Sequence, residues 1–188
     1  KSNIRTFADS EYAEKGMELL DDVSSAEVML GVKEVPISAL IENKKYFMFS
    51  HTIKEQPYNR DLLRAILNKN IELYDHEVIT DQKEIRLVAF GRYAGIVGGY
   101  NAIRTFGLKQ KSFQLPKAQE LSDQKACIEK LKSIDLPNIK ILLSGTGRVG
   151  NGAKEMLDGM GIQQVDVDGY LNQDYDHPVY CQIDVLDY

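Results

Sequence analysis

The stretch Ile139-Lys140-Ile141-Leu142-Leu143-Ser144-Gly145-Thr146-Gly147-Arg148-Val149-Gly150-Asn151-Gly152-Ala153 decides the fold. Its apolar opening reads as a strand and its tail, from Gly150 to about Leu157, as a helix. A G-x-G-x-x-G run carries mechanical meaning when it joins a strand to a helix in this way. Gly145 permits the tight turn, Gly147 lets backbone approach a pyrophosphate, and Gly150 lets the helix pack on the strand. The helix N-terminus supplies unpaired N–H groups and a positive dipole end for the same anion. Beyond Gly161, the run Gln163-Gln164-Val165-Asp166 reads as the next strand, with Asp166 lying 19 residues past Gly147. A carboxylate there accepts hydrogen bonds from an adenosine ribose, which favours NAD over NADP. Arg148, inside the loop, softens the repulsion of a 2′-phosphate and keeps NADP open as the alternative cofactor. The candidate cofactor-binding set is therefore Gly145, Gly147, Arg148, Val149, Gly150 and Asp166. The competing interpretation is a structural glycine turn followed by an ordinary surface acid.

Working outward, strand-like and helix-like segments alternate. Residues 26–32, 46–49, 71–74 and 86–90 read as strands, residues 37–43 as a short helix after Pro36, and a helix follows Asn59 with Leu62, Leu63, Ile66 and Leu67 on one face. Such alternation argues for an α/β fold with parallel sheets. Glycines at 91, 95, 98, 99 and 107 imply close backbone approach, with tight packing the favoured reason. The polar stretch 109–121 reads as a linker, 123–133 as a helix, and a domain boundary is placed near 110–120. Strand-like runs at both ends, Asn3–Phe7 and Pro178–Val185, suggest a chain cut from something longer.

Composition narrows the class. The 188 residues hold 23 Lys+Arg against 28 Asp+Glu, a formal charge of −5, with 43% hydrophobic residues. That balance suits a buried core and argues against nucleic-acid or anionic-membrane partners, which need a basic face. No run is long enough to span a membrane. Two cysteines, Cys127 and Cys181, form neither a disulfide framework nor metal-ligand spacing, so no metal site is expected and a cytoplasmic location is.

Ionisable residues follow the apolar runs of the front half. Lys33 and Glu34 follow Val28–Val32, His51 follows Tyr46–Ser50, Asp75 and Glu77 follow Ile71–Tyr74, and Arg86 opens Leu87–Phe90. The carboxyl ends of parallel strands share one edge, so Lys33, His51 and Glu77 can converge there as an acid–base set. Each also has a plain alternative as a solvated or loop residue, and His76 and His177 compete with His51.

The runs Leu30-Gly31-Val32-Lys33-Glu34-Val35-Pro36, Phe49-Ser50-His51-Thr52-Ile53-Lys54-Glu55-Gln56, Leu73-Tyr74-Asp75-His76-Glu77 and Arg86-Leu87-Val88-Ala89-Phe90-Gly91-Arg92-Tyr93-Ala94-Gly95 resemble the lysine-forming saccharopine dehydrogenases and lysine–ketoglutarate reductases. The resemblance spans nearly the whole chain. It implies the alanine dehydrogenase/transhydrogenase fold, with two Rossmann-like domains: a substrate domain over 1–112 and a partial NAD(P)-binding domain over 113–188. It also implies the reversible conversion of saccharopine, NAD(P)+ and water to lysine, 2-oxoglutarate and NAD(P)H. Lys33 and His51 match the family's acid–base groups, Glu34 and Glu77 the carboxylates that tune them, Arg86 an arginine for a substrate carboxylate, and Gly145, Gly147 and Gly150 the cofactor loop. Members begin with a further strand and helix and continue past Tyr188, so the expectation is a fragment lacking part of both sites. The alternatives are an alanine dehydrogenase- or transhydrogenase-like oxidoreductase and a non-catalytic nucleotide-binding module.

Overall fold

The computed structural model describes residues 7–187 and divides into two compact units, Lys1–Val88 and Ala89–Tyr188. In the first unit, β1 (Val28–Lys33), β2 (Lys45–Phe49) and β3 (Glu72–Asp75) form a parallel sheet in that order. Helix α1 (Asp9–Glu14) precedes it and α2 (Arg60–Asn68) links β2 to β3. Alternation places Tyr46 and Met48 of β2 inward, where Leu62 and Ile66 of α2 and Leu40 close over them as a small core. On the opposite face Leu30 is 80% exposed, and Phe47 stacks on Tyr74 with ring centroids 4.5 Å apart. The ladder between β1 and β2 slips between Leu30 and Lys33, so Lys33 ends up opposite Phe49, at the carboxyl edge.

Two expected elements of this unit change. The helix over 37–43 is a single 3-10 turn, Ile37–Ala39, because Pro36 starts it but Leu40 turns extended to plug the core. The strand over 86–90 does not form: Arg86 makes one antiparallel bridge with Thr80, and Phe90 lies at the N-terminus of the next helix. Of the strand expected at 3–7, residues 3–6 lie outside the described residues, and Phe7 is in a bend.

The second unit begins with α3 (Gly91–Gln110) and continues through α4 (Gln124–Lys132), β4 (Lys140–Ser144), α5 (Arg148–Met160), β5 (Gln163–Gln164), α6 (Val167–Asn172) and β6 (Val179–Ile183). Its sheet is parallel, in the order β4-β6-β5. The glycine stretch is indeed a packing surface. A Cβ on Gly95 would lie 1.9 Å from the Val149 carbonyl oxygen, and one on Gly152 would lie 2.1 Å from that of Arg92, so α3 and α5 meet backbone to backbone. This contact ties α3 to the second compact unit, which begins at Ala89. The stretch 109–121 is more than a linker. Leu115 is buried in the same core as Ile96, Tyr100, Ile103, Leu131, Met156 and Tyr180, and the Pro116 carbonyl accepts from the Tyr100 hydroxyl at 2.9 Å. Cys127 and Cys181 are free thiols inside this unit, and burial pushes both thiol pKa values up.

Candidate functional site

In the first unit the residues that follow the three strands gather at the carboxyl edge of the sheet. After β2, the chain turns through Ser50 into His51, whose backbone is left-handed at φ 57°. A non-glycine residue in that region is uncommon and held by its surroundings. Here the clamp is Asn59, buried beneath the turn, whose Nδ2 donates to the His51 carbonyl at 3.1 Å. Ser50 is wholly buried and donates to Asp75, whose other oxygen accepts from the Glu77 N–H at 2.9 Å. One buried carboxylate thus braces the ends of β2 and β3 together.

On that floor, His51 Nδ1 lies 2.9 Å from Glu77 Oε2 and 3.0 Å from Lys54 Nζ. One ring nitrogen cannot serve both partners at once. When Nδ1 is protonated it donates to Glu77; when it is bare it accepts from the Lys54 ammonium, and the ring proton is on Nε2. The pair of neighbours therefore offers Nδ1 a partner whether it carries the proton or not. Lys54 also reaches Glu77 Oε1 at 3.2 Å, and Arg86 approaches the same oxygen at 3.6 Å. Burial works to raise the Glu77 carboxyl, whose side chain is 8% exposed. Hydrogen bonds and charge from His51 and Lys54 outweigh it and hold the group below its ordinary value. His51 itself is 19% exposed, with Glu34 Oε2 3.9 Å from its Nε2.

The structure thus brings together His51, Glu77, Glu34 and Arg86 of the predicted set. Lys33 reaches the same sheet edge, where it is exposed and its side chain makes no hydrogen bond or ion pair among the described residues. The competing histidines have structural partners: His76 is buried and bonds the Gly31 carbonyl through Nε2 at 3.1 Å, and His177 bridges Asp176 and Gln163 at the surface. Lys54 was not singled out in the sequence. No apolar pattern marks it: residues three apart eclipse in a 3-10 turn, and the structure makes Thr52–Lys54 such a turn, with His51 at its N-cap.

In the second unit the predicted glycine loop joins β4 to α5. Gly145 has φ +94°, and a Cβ on Gly150 would stand 2.0 Å from the Gly145 carbonyl oxygen, so the turn and the close packing both require glycine. Gly147 is the N-cap of α5; no side chain caps that end, and open space surrounds its Cβ direction. Loop carbonyls are consumed within the unit: Gln182 Nε2 donates to Gly145 at 2.9 Å and Asn151 Nδ2 to Thr146 at 2.9 Å. The first-turn N–H groups of α5, from Arg148, Val149 and Gly150, are then the donors a pyrophosphate would meet. These residues fit a dinucleotide. Asp166 stands elsewhere: β5 ends at Gln164, and the Asp166 side chain caps α6, accepting from the Gly169 N–H at 2.8 Å.

Comparisons with known proteins bear on both units. Residues 2–97 match the family described as "Alanine dehydrogenase/PNT, N-terminal domain". The bovine mitochondrial alpha-aminoadipic semialdehyde synthase is 31% identical over 183 residues, covering 88% of this chain and 20% of that protein. The Yarrowia lipolytica saccharopine dehydrogenase [NAD(+), L-lysine-forming] is 27% identical over 184 residues, covering 89% of this chain and 50% of the enzyme. A solved L-alanine dehydrogenase shares the fold, with TM-score 0.54 and 14% identity over 96% of this chain and 50% of that one. The chain therefore spans between a fifth and a half of the length of these relatives. No helix among the described residues is long and apolar enough to cross a membrane.

Proposed function

Because the chain belongs to the alanine dehydrogenase/PNT N-terminal-domain family, we propose that it serves a nicotinamide-dependent oxidoreductase acting on a CH–NH bond, with saccharopine on one side and lysine plus 2-oxoglutarate on the other. The observation that carries this reading is the His51 ring held between Glu77 and Lys54 at the carboxyl edge of a parallel sheet. The names of the bovine and Yarrowia relatives point the same way.

The reaction asks for proton transfers at the secondary amine, at the attacking water and at the carbinolamine that releases lysine. A histidine whose two states are both partnered supplies them without reorganising its neighbours. With Nδ1–H donating to Glu77 throughout, His51 gives a proton from Nε2 of the charged ring and takes one up at the bare Nε2 of the neutral ring. Lys33 extends from the same edge as the second proton carrier, and Glu34 adds negative charge beside Nε2. The guanidinium of Arg86 suits a substrate carboxylate, since arginine binds carboxylates bidentately. Gly145, Gly147 and the first turn of α5, with Arg148, Val149 and Gly150, would hold the dinucleotide, NAD by preference with NADP as the alternative. When bound, the nicotinamide supplies the hydride acceptor for the carbon next to nitrogen.

The test is NADH oxidation by the full-length protein with two substrate pairs. Lysine plus 2-oxoglutarate is expected to support turnover, and pyruvate plus ammonia to give at most a hundredth of it. The opposite preference would replace this reading with an alanine dehydrogenase-like one.

A further inference from the structure

The end of β1 carries an irregularity that decides where Lys33 points. Leu30 pairs with Phe47 and Lys33 with Phe49, so Gly31 and Val32 stand against Met48 alone. The extra residue makes a β-bulge, and a bulge re-aims the side chains that follow it. Partners in a parallel ladder share a face of the sheet, and faces alternate along each strand. Leu30 lies with Phe47 on the face opposite Met48 and the α2 core, and the bulge returns Lys33 to that same face beside Phe49. An unbroken register would set Lys33 against Ser50, on the core face, where Ser50 is wholly buried. The Phe49 face is the one His51 shares, with ring centroids 6.3 Å apart.

His76 holds this bulge. Its backbone N–H donates to the Met48 carbonyl at 3.0 Å, carrying the β3 ladder one step past Asp75. Its ring packs T-shaped on Phe49, centroids 5.2 Å apart, and brings Nε2 to 3.1 Å from the Gly31 carbonyl on β1. A carbonyl only accepts, so the ring proton is on Nε2 and Nδ1 is bare. That Nδ1 is buried and has no hydrogen-bond partner among the described residues. A buried acceptor without a donor lowers stability, so a ring kept there is kept for its other nitrogen. We propose that His76 is a positioning residue: its Nε2–H fixes the Gly31 carbonyl, and with it the bulge that turns Lys33 onto the face of Phe49 and His51. This rests on Lys33 being the second proton carrier, as read above. Shut off from solvent, Nδ1 meets no substrate, and His76 acts through β1.

The experiment places His76→Phe, His76→Asn and His76→Gln in the full-length protein, each with and without Lys33→Met. It follows NADH oxidation with lysine and 2-oxoglutarate, and amide hydrogen exchange alongside. Phenylalanine keeps the ring and loses both nitrogens. Asparagine and glutamine carry the same amide, and only the longer one reaches the position of Nε2. His76→Phe and His76→Asn are expected to lower turnover about tenfold, the scale of a displaced catalytic group, and to speed exchange over Gly31–Glu34. His76→Gln is expected to recover both. With Lys33→Met present, the His76 variants should change turnover by less than about twofold, because two residues acting through one group do not add. Equal loss with and without Lys33→Met, a His76→Gln variant as slow as His76→Asn, or unchanged exchange over Gly31–Glu34 would overturn the proposal. Lys33→Met turning over like the wild type, or a wild type inactive on this substrate pair, would overturn the reading of Lys33, while exchange over Gly31–Glu34 would still decide whether His76 holds the bulge.

Discussion

The two units solve the problem of presenting chemistry at the end of a parallel sheet in opposite ways. The second unit does it with backbone: a left-handed glycine, carbonyls tied inward by Gln182 and Asn151, and an uncapped helix start. The first unit does it with side chains: a histidine in left-handed backbone, clamped from below by Asn59 and flanked by a buried glutamate and a lysine. A backbone site tolerates most side-chain changes and fails when a Cβ is added. A side-chain site tolerates small backbone adjustments and fails when a single polar atom is removed.

This contrast can be broken most forcefully at Gly150. Gly150→Ala drives a methyl to within 2.0 Å of the Gly145 carbonyl oxygen, so the second unit should lose about 3 kcal/mol in urea unfolding together with its nucleotide affinity. Retention of both would show that the loop is plastic. The first unit is sharpened at Glu77. Glu77→Gln leaves shape nearly unchanged but takes away the charge that balances protonated His51, and turnover should fall about tenfold with nucleotide binding untouched. Lys54→Met should cost less than this, because Glu77 keeps His51 and Arg86 as partners.

The Glu77 carboxyl also makes a prediction about acid stability. Its folded pKa lies below the ordinary 4.5, so the folded state gains while the group is ionised in both states, and the gain disappears as pH falls through the lowered folded value. Denaturant midpoints of the wild type should therefore drop more steeply below about pH 4.5 than those of Glu77→Gln, and parallel curves would remove the ion cluster as a stabiliser. The smallest expected effect is at a helix end. Asp123 accepts from the Ala126 N–H at 2.8 Å, and Asp123→Ala should cost about 1 kcal/mol in the second unit without affecting turnover.

The same contrast explains what could be read before the structure. The glycine loop is local: its strand, turn and helix are contiguous, and Gly145, Gly147 and Gly150 fall where the spacing placed them. The first-unit site draws on the ends of separate strands. His51 and Glu77 could be nominated because they follow apolar runs, but their contact depends on the register of β2 against β3. Lys54 was overlooked because its role comes from a tight turn that no apolar pattern marks. The strand expected at 86–90 failed for a related reason: an apolar run is ambiguous between a strand and the approach to a helix, and here the glycine-lined α3 takes over at Gly91. Asp166 shows the same limit of sequence order, which suggests that β5 neighbours β4 while the sheet inserts β6.

The most direct measurement replaces His51 by Gln in the full-length protein and follows both NADH binding and NADH oxidation with lysine and 2-oxoglutarate. Loss of a positioned acid–base group predicts turnover reduced at least about a hundredfold, with NADH affinity within twofold of the wild type. Turnover within twofold of the wild type, at unchanged NADH affinity, would contradict the account.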